Sequence, residues 1–368
     1  FIRVAKRRVA MSQETFQAQL IDAVTSVLNL YWDLSVAASD LEVKQRNRNV
    51  AQQFYEDTRK QIAVGTVARI DLVRAELEEA AREKELSAAQ TLAEQREVLL
   101  KNVLSRRGTE DPLLAEAHIV TLDHVQVPAR DDLPPFGELL RRAVAHRPDI
   151  VAAQMSAEAS GIGASGTKNG LLPTLQGFAT LQQNGLAGAP VPQAGAIADP
   201  YFVGGLGTAL GQVLRRNFPS ENAGAFLRAD VKNRVAQADY GIDQLQLRQM
   251  QLTTRKTVNQ LATDLSNQLL SLRQARARYT AAVTARTLQE QLLQGEERKL
   301  TLGDSTIYAV VQTRRDLATA QSNELAAEAT YVKNRIALDQ ILGTTLEANH
   351  ISIGEVGSAG SAAGGQLK

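Results

Sequence analysis

The feature that most constrains the fold is a pattern that occurs twice, in which a long helical repeat reaches a glycine and a second helical repeat begins at once. The first copy reads KQIAVGTVARIDLVRA at residues 60–75, and the second reads RKLTLGDSTIYAVVQT at residues 298–313. Superposing Gly65 on Gly303 also aligns apolar positions along the chain. The matched pairs before the glycines are Leu20 with Val258, Val27 with Leu265, Tyr31 with Leu269, Leu34 with Leu272 and Leu41 with Tyr279. Self-similarity of this extent predicts two related halves.

Each half is predicted to form a helical hairpin. The aligned apolar positions follow a heptad rhythm, which is typical of helices that pack along their length. We expect the long helices at residues 20–64 and 222–301, each followed by a helix that runs back. Glycine suits a helix end because it adopts the left-handed conformation without a Cβ clash, and Thr66 or Asp304 is expected to cap the next helix. The alternative is that each glycine is a plain turn with no further role.

Composition favours an elongated α-rich protein over compact globules. Hydrophobic residues make up 44% of the chain but aromatic residues only 4%, which is the composition of long helices packed side by side. The 41 basic and 40 acidic residues leave a net charge of +1. Since no basic field is present, we expect no nucleic-acid partner. The sequence also lacks an apolar run long enough for a transmembrane helix.

No residue pattern in the sequence points to catalysis or to a cofactor. The absence of cysteine excludes disulfides, thiolate metal sites and cysteine nucleophiles. The four histidines do not have the paired spacing of metal ligands; they are His118, His124, His146 and His350. GASGTKNG near Gly163 lacks the ending of a phosphate-binding loop. We therefore expect no catalytic residue, no cofactor and no metal site.

Two segments between the hairpins alternate in hydrophobicity and predict β-strands. In residues 171–185, Leu175 and Leu181 fall on one side and Gln176 and Gln182 on the other, and residues 201–214 show a similar alternation. Strands of about ten residues with such faces are what a transmembrane barrel requires, because lipid leaves no backbone group unpaired. A hairpin on a soluble surface is the alternative.

The remaining segments are predicted to be connectors and one shorter helix. Residues 106–136 are rich in Pro, Asp and Gly, with a short β-like run at residues 117–122. A helix is expected from about Asp149 to Ala164, because Pro148 is tolerated in a first helical turn.

These pieces, in this order, resemble the TolC-type outer membrane efflux protein family. No single motif decides the resemblance, but their order and the internal repeat are specific, and it extends from Phe1 to about Gly343. The motifs that carry it are YWDL at residues 31–34, VGTVARIDLVRAELEEA at 64–80, HRPDIVAA at 146–153, LLPTL at 171–175, LGDSTIYAVVQTRRDLATAQ at 302–321 and ALDQILG at 337–343.

The resemblance implies a mainly α fold with a β-barrel part. It consists of a tunnel of long helical hairpins in a coiled coil, two internal structural repeats, and β-hairpins that contribute to a trimeric 12-stranded outer membrane barrel. The implied segments are a first helix-tip-helix repeat at residues 1–105, a connector at 106–136, a helix leading to the barrel at 137–170, the barrel hairpin at 171–214, the second helix-tip-helix repeat at 215–343, and an equatorial segment with a flexible tail at 344–368. The first repeat's own hairpin, and any signal peptide, are expected upstream of Phe1.

The resemblance also implies a role for the two helical tips. In relatives, such turns are where a periplasmic adaptor docks, which assigns that role to six positions: Val64, Gly65, Thr66, Leu302, Gly303 and Asp304.

Just past the tips, the family narrows its tunnel with polar networks. Asp71 and Arg74 follow the first tip and Ala309 and Gln312 the second, so these four residues are the predicted gate. Asp71 matches an acidic position that holds the closed state in relatives, but its basic partner falls at Ser305. Arg69, Arg74 or Arg298 is expected to replace that partner. Ala309 and Gln312 stand where relatives carry acids, which predicts a less acidic gate. Alternatively, Asp71 is an acidic residue favourably placed in a first helical turn.

The implied function is that of an outer membrane channel subunit in a tripartite efflux or type I secretion system. It would be a passive duct across the periplasm, homotrimeric, embedded in outer membrane lipid, opened by the adaptor and coupled indirectly to an inner membrane transporter. The alternative is a soluble periplasmic helical-hairpin scaffold or adaptor without channel activity.

Overall fold

The computed structural model describes residues 2–65, 67–105, 107–108, 111–123, 127–191, 197–229 and 232–352. The chain divides into two compact units, one formed by Phe1–Ala157 with Met250–Lys368 and the other by Glu158–Gln249. Thr66, Arg106 and His124, and the predicted tail beyond residue 352, lie outside the described residues.

The described part of the chain is mainly helical and contains one β-hairpin, which confirms the predicted fold class at this level. The helices are α1 (Ile2–Ala63), α2 (Arg69–Leu104), α3 (Pro112–Ala115), α4 (Phe136–His146), α5 (Pro148–Asn169), α6 (Leu206–Leu214), α7 (Arg234–Leu302), α8 (Ile307–Leu342) and α9 (Thr345–Ala348). The strands are β1 (Thr174–Gln183) and β2 (Pro219–Arg228). Among these residues, no helix combines the length and the apolar character needed to cross a bilayer.

In the first unit, charged side chains tie α1 to both α2 and α8. Asp33 on α1 forms ion pairs with Arg96 on α2 at 3.6 Å and with Lys333 on α8 at 2.5 Å. Nearer the tips, Arg48 on α1 pairs with Glu83 on α2 at 2.8 Å. The two helical hairpins therefore pack together along α1, as the heptad spacing predicts.

The core of this unit lies where α4 and the start of α5 meet α7 and α8. The heptad leucines of the second repeat are buried there, as the aligned pattern predicts. The largest buried side chains of this core are Leu139, Ile150, Leu261, Leu265, Leu269, Leu272, Tyr331, Ile336, Leu338 and Leu342. Each fully buried leucine or isoleucine contributes about 1.5–3 kcal/mol relative to exposure.

Helix boundaries depart from the sequence prediction in three places. The first long helix begins at Ile2 instead of residue 20, and the second begins at Arg234 instead of residue 222. The helical segment implied at residues 137–170 consists of two helices, α4 and α5, and α5 extends beyond the predicted range of Asp149 to Ala164. They separate at Arg147, which is extended, because a residue before proline is pushed out of the helical region. Pro148 then occupies the first position of α5, as predicted.

The predicted strand at residues 201–214 is wrong. A short 3₁₀ turn at Pro200–Phe202 is followed by α6, and the second strand is β2, within the segment predicted to be helix. Leu206, Leu210 and Leu214 follow one another at intervals of four residues, which fits one face of a strand and one face of a helix equally well. The β-like run at residues 117–122 also forms no strand, and Ile119 N donates instead to the Glu97 carboxylate at 3.2 Å.

In the second unit, β1 and β2 form an antiparallel pair with ten residues each and Thr174 opposite Arg228. One face is apolar apart from Glu221 and Gln183 at its far end: Leu175, Gly177, Ala179, Leu181, Pro219, Ala223, Ala225 and Leu227. The other is mostly polar: Thr174, Gln176, Thr180, Gln182, Ser220, Asn222 and Arg228, with Phe178 over Gly224 and Phe226 beside Phe178. The alternation predicted for the first strand is therefore confirmed.

Candidate functional site: the helical tips

The two glycines at the ends of α1 and α7 adopt the same left-handed conformation. Gly65 has φ +79° and Gly303 has φ +78°, which confirms the predicted helix ends. At the second tip, Gly303 N donates to Leu300 O at 3.1 Å and Asp304 N donates to Lys299 O at 2.9 Å. These two bonds satisfy the last carbonyls of α7 while the chain reverses.

The caps of the returning helices differ from the prediction. Asp304 does not cap α8; Thr306 does, because its Oγ1 accepts a hydrogen bond from Ala309 N at 3.2 Å. At the first tip, α2 follows Ala68 without a side-chain cap. Thr306, two residues beyond Asp304, stands directly before the first helical residue, where a capping side chain reaches the backbone N–H groups.

Both tips line one cleft. Its volume is about 620 Å³, and its walls come from the end of α1, the start of α2, the end of α7 and the start of α8. The lining residues are Gln61, Val67, Ala68, Ile70, Asp71, Arg74, Leu300, Thr301, Gly303, Ser305, Thr306 and Ile307. The structure thus brings together Asp71, Arg74 and Gly303 from the predicted site, whereas Ala309 and Gln312 are not part of this lining.

Asp71 has a partner on its own helix. Arg74 Nη1 lies 3.1 Å from Asp71 Oδ1, so of the three arginines considered, Arg74 is the one that pairs with it. The Arg74 guanidinium also lies 5.3 Å from the centre of the Tyr308 ring on α8. Arg74 therefore connects the first hairpin to the second through a cation–π contact.

Ser305, at the position of the missing basic partner, bonds elsewhere. Its Oγ donates to Glu296 Oε2 at 2.7 Å, and Lys299 Nζ lies 2.7 Å from Glu296 Oε1. Hydrogen bonding from Lys299, and then from Ser305, lowers the pKa of Glu296 below its ordinary value. The same hydrogen bond raises the pKa of Lys299. Both groups are charged at neutral pH and hold the second turn against α7.

The outer surface of the tips is apolar and open. The Val64 and Leu302 side chains are 79% and 83% exposed. A Cβ built on Gly65 or Gly303 would meet nothing within 4 Å. A partner chain can therefore approach the backbone of both turns closely.

Ala309 and Gln312 lie at the start of α8 and bring no charge to it. Ala309 is half-buried, while Gln312 is exposed and its Nε2 donates to Asp316 Oδ1 at 3.2 Å. Their spacing places them on neighbouring positions of one helix face.

Sequence reasoning missed a buried charge cluster behind the tips. The Glu78 side chain on α2 is only 3% exposed and pairs with Arg82 Nε at 2.9 Å and with Arg315 Nε on α8 at 2.6 Å. Glu78 lies seven residues after Asp71, on the same helix face. That spacing was visible in the sequence, but nothing there shows that Arg315 approaches from the other hairpin.

Among the described residues, no group of three or more His, Cys, Asp or Glu side chains is arranged to hold a metal ion.

Comparison with known proteins adds a family and a set of related folds. Residues 2–106 match the family described as outer membrane efflux protein. The outer membrane protein VceC from Vibrio cholerae is 18% identical, with a TM-score of 0.68 over 93% of this chain and 74% of VceC. The open state of the Neisseria gonorrhoeae MtrE outer membrane channel is 17% identical, with a TM-score of 0.68 over 94% of this chain and 71% of MtrE.

The Campylobacter jejuni CmeC outer membrane channel has the same fold at 13% identity, with a TM-score of 0.64 over 93% of this chain and 67% of CmeC. No curated protein sequence matches the chain significantly.

Proposed function

We propose that the chain is a member of the outer membrane efflux protein family, which its residues 2–106 match and whose members are channels and not enzymes, and that it is the exit duct of a tripartite efflux or type I secretion system. Membership implies an outer membrane location with a helical part in the periplasm. The duct is passive; energy comes from an inner membrane transporter that it reaches through a periplasmic adaptor.

The observation that carries the channel proposal is the two-faced β-hairpin. Ten-residue strands have the length of a tilted membrane-spanning strand. Their apolar face, with exposed Leu175, Leu181 and Leu227, suits lipid, and their polar face suits a water-filled lumen. A soluble protein has no reason to expose this apolar face to water.

The assembly we propose is a homotrimer. Lipid tolerates strands only in a closed barrel, since an open edge leaves backbone groups unpaired. A trimeric 12-stranded barrel uses two hairpins from each protomer, and β1 with β2 supplies one of them. The barrel part therefore extends to Arg228, beyond the residue 214 that the sequence predicted.

The other segments keep their proposed places. Residues 1–105 and the second repeat up to Gly343 form the helical tunnel. Residues 106–136, with the segment after Gly343, form its equatorial connector.

The tips are the proposed adaptor-docking surface. Val64, Gly65, Leu302, Gly303 and Asp304 combine exposed apolar side chains with an open backbone; Thr66 completes the set. A helical hairpin of the adaptor would pack on these turns at close range, because neither glycine places a side chain in its way.

The gate lies just inside the tips. Arg74, which pairs with Asp71, contacts Tyr308 of the second hairpin, and Ala309 with Gln312 adds no acid to the aperture, which makes the gate less acidic. The closed state would thus rest on contacts between hairpins and not on a ring of carboxylates.

Channel activity is tested by reconstitution. The purified chain should assemble as a trimer and give stepwise ion conductance in planar lipid bilayers. A protein that remains monomeric, stays out of the membrane fraction and conducts no ions would instead be the soluble periplasmic scaffold or adaptor.

Docking is tested separately by crosslinking in cells. Because the chain has no cysteine, single cysteines at Val64 and Leu302 can be linked to an adaptor with a short bifunctional reagent. A cysteine at exposed Leu92 on α2, away from the tips, is the matched control. Replacing Gly65 and Gly303 together by valine should abolish the tip crosslinks while the barrel stays in the membrane. Undiminished crosslinking in that variant would refute the docking role.

A further inference from the structure

We propose that α6 is an interfacial helix, which lays its leucines into the lipid of the outer leaflet and places Arg215 and Arg216 on headgroup phosphates. The inference rests on the proposed function, because it requires β1 and β2 to belong to a membrane barrel. It assigns a lipid surface as the partner of the segment that joins the two strands.

The open face of α6 is entirely apolar. The nine residues of this helix, LGTALGQVL, include no charged residue. Leu206, Leu210 and Leu214 are 78%, 51% and 82% exposed and lie on one side of the helix. Surface helices of soluble proteins carry charged or polar residues on their open side. This stripe therefore needs an apolar environment.

The buried side of α6 fixes its rotation. The Gln212 side chain accepts from Leu186 N at 2.8 Å and donates to Tyr201 O at 3.0 Å. Because Gln212 is buried and makes bonds in both directions, the helix cannot turn its leucines inward without breaking them.

The chain just beyond β1 shows which side of the hairpin α6 covers. Asn184 N donates to Phe218 O at 3.2 Å, so the extended pairing continues past Gln183. Side chains alternate along an extended strand, which places position 185 on the same side as Leu175 and Leu181.

At Gly185, the space that a side chain would occupy is filled by α6. A Cβ added there would collide with the Ala209 carbonyl oxygen. The helix therefore packs over the apolar side of the hairpin. Its leucines, on the surface away from buried Gln212, which bonds to Leu186 N on the strand extension, face outward from that same side. The stripe thus continues the surface that the proposed barrel presents to lipid.

Two arginines follow the stripe at the end of the helix. Arg215 and Arg216 have no ion-pair partner among the described residues. Arg216 has φ +52°, a left-handed conformation that is usual for glycine after a helix and uncommon for other residues. Asn217 N donates to Gln212 O at 3.1 Å, which completes this helix end. A strained residue that keeps a long charged side chain points to a use for that charge.

The charge of the two arginines and the position of α6 together indicate that a lipid surface covers its leucines. A guanidinium binds a phosphate through two parallel hydrogen bonds, and an apolar helix face beside basic residues is the pattern of helices that lie in a membrane interface. Since α5 and α7 lead away from the opposite ends of the strands, this segment lies at the outer end of the hairpin. Contact with a neighbouring protomer would bury the leucines but would give the two arginines no role.

The depth of α6 in lipid can be measured with single cysteines in the full chain. We would label Leu210→Cys with an environment-sensitive fluorophore and reconstitute the protein into phosphatidylcholine and phosphatidylglycerol vesicles that contain brominated lipid. The positive control is Leu181→Cys, on the apolar face of β1. The negative control is Leu186→Cys, which is also exposed but lies on the opposite side of the strand extension.

We expect brominated lipid to quench the labels at positions 181 and 210 and to spare the label at position 186. Quenching at 181 without quenching at 210 would overturn the inference and leave the barrel intact; a crosslink from 210 to a second protomer would then identify the occupant. An unquenched label at position 181 would reject the barrel itself.

The arginine contact is tested by Arg216→Gly, with Arg216→Lys as the control. Glycine adopts the left-handed turn readily, so Arg216→Gly removes the charge and keeps the backbone. Arg216→Gly should lower the equilibrium constant for binding of α6 to a phosphatidylglycerol surface by about fivefold. That factor is the effect of one basic residue at an anionic surface. Arg216→Lys should change it by less than about twofold. Equal behaviour of the two variants would remove phosphate binding from the proposal.

Discussion

Gly303 and Gly295 lie close together in the sequence, yet the same substitution should have opposite effects at the two positions. Gly303 follows α7 with φ +78°, whereas Gly295 lies within the helix, and an added Cβ meets nothing within 4 Å at either site. Gly303→Ala should lower the free energy of unfolding by about 1–2 kcal/mol, because the left-handed backbone penalises a Cβ. Gly295→Ala should raise it by about 0.5–1 kcal/mol.

Urea unfolding followed by circular dichroism measures both values. Because neither site is crowded, the difference reports the backbone alone. If Gly303→Ala were as stable as the parent protein, the left-handed turn would not persist at the tip in solution.

Tyr331 should make stability depend on alkaline pH. Burial, together with a 2.7 Å hydrogen bond that Tyr331 donates to Asp131, raises the pKa of its hydroxyl from 10.0 to about 12. The folded state therefore holds this proton more tightly than the unfolded chain. The resulting stabilisation is complete below pH 10 and is lost as the pH rises through about 12.

Thermal unfolding across this interval should show a smaller pH dependence in Tyr331→Phe than in the parent protein. Tyr308→Phe, at an exposed position on the same helix, is the matched control for removing a tyrosine hydroxyl from α8. Equal slopes for the parent and Tyr331→Phe would contradict the role of this hydroxyl.

At the scale of elements, the Glu78 cluster is the strongest charged connection between the hairpins near the tips. Glu78 on α2 is buried between Arg82 and Arg315, and the latter belongs to α8. Glu78→Ala would remove one of the two carboxylates that pair with buried Arg82, leaving Glu85, and would break the bond to Arg315, so it should destabilise the protein by about 1–3 kcal/mol. Chemical denaturation of the purified protein provides the measurement.

The Arg48–Glu83 pair is a suitable comparison, because it has a similar distance of 2.8 Å but joins α1 and α2 within one hairpin and is more exposed. Glu83→Ala should cost less than about 1 kcal/mol. A double-mutant cycle on Glu78 and Arg315 should show coupling of about 0.5–3 kcal/mol, since the two side chains touch. Additive effects would show that α2 and α8 are not joined through this pair.

The elements that the sequence predicted well are those with long periodic patterns. The two hairpins and their glycine turns follow from a repeat that only helices satisfy. α6 and β2 were mispredicted for different reasons. In α6, leucines four residues apart fit the period of a strand and the period of a helix equally well. β2 forms a strand because it pairs with β1, and this non-local contact cannot be recognised from the residues of β2 alone.

The candidate site shows the same limit. Gly65 and Gly303 were predictable because backbone conformation is local. Tyr308 beside Arg74, and Arg315 beside Glu78, were missed, because these contacts join helices from different repeats.

At the scale of the whole molecule, the two repeats place their tips on one cleft but contribute different chemistry to it. The first tip brings the Asp71–Arg74 pair, while the second brings Tyr308 and the bond between Ser305 and Glu296. A motion that separates the hairpins at the tips has to break the contact between Arg74 and Tyr308, which lies 5.3 Å from the guanidinium. We therefore expect opening of the proposed channel to depend on interactions across the repeat boundary.

Ion selectivity is the property that tests whether α8 lines the aperture of the proposed trimer. Ala309 and Gln312 carry no charge and lie one turn apart just past the second tip, so Ala309→Glu with Gln312→Glu adds two carboxylates per protomer at neighbouring positions. Three protomers would converge these charges on one constriction, where low-dielectric walls strengthen their field.

The double variant should raise the permeability of K⁺ over Cl⁻ severalfold, measured as a reversal potential across a KCl gradient. Thr319→Glu with Asn323→Glu, at exposed positions farther along α8, adds the same charge away from the tip and should have a smaller effect. Equal selectivity in the two double variants would place Ala309 and Gln312 outside the aperture.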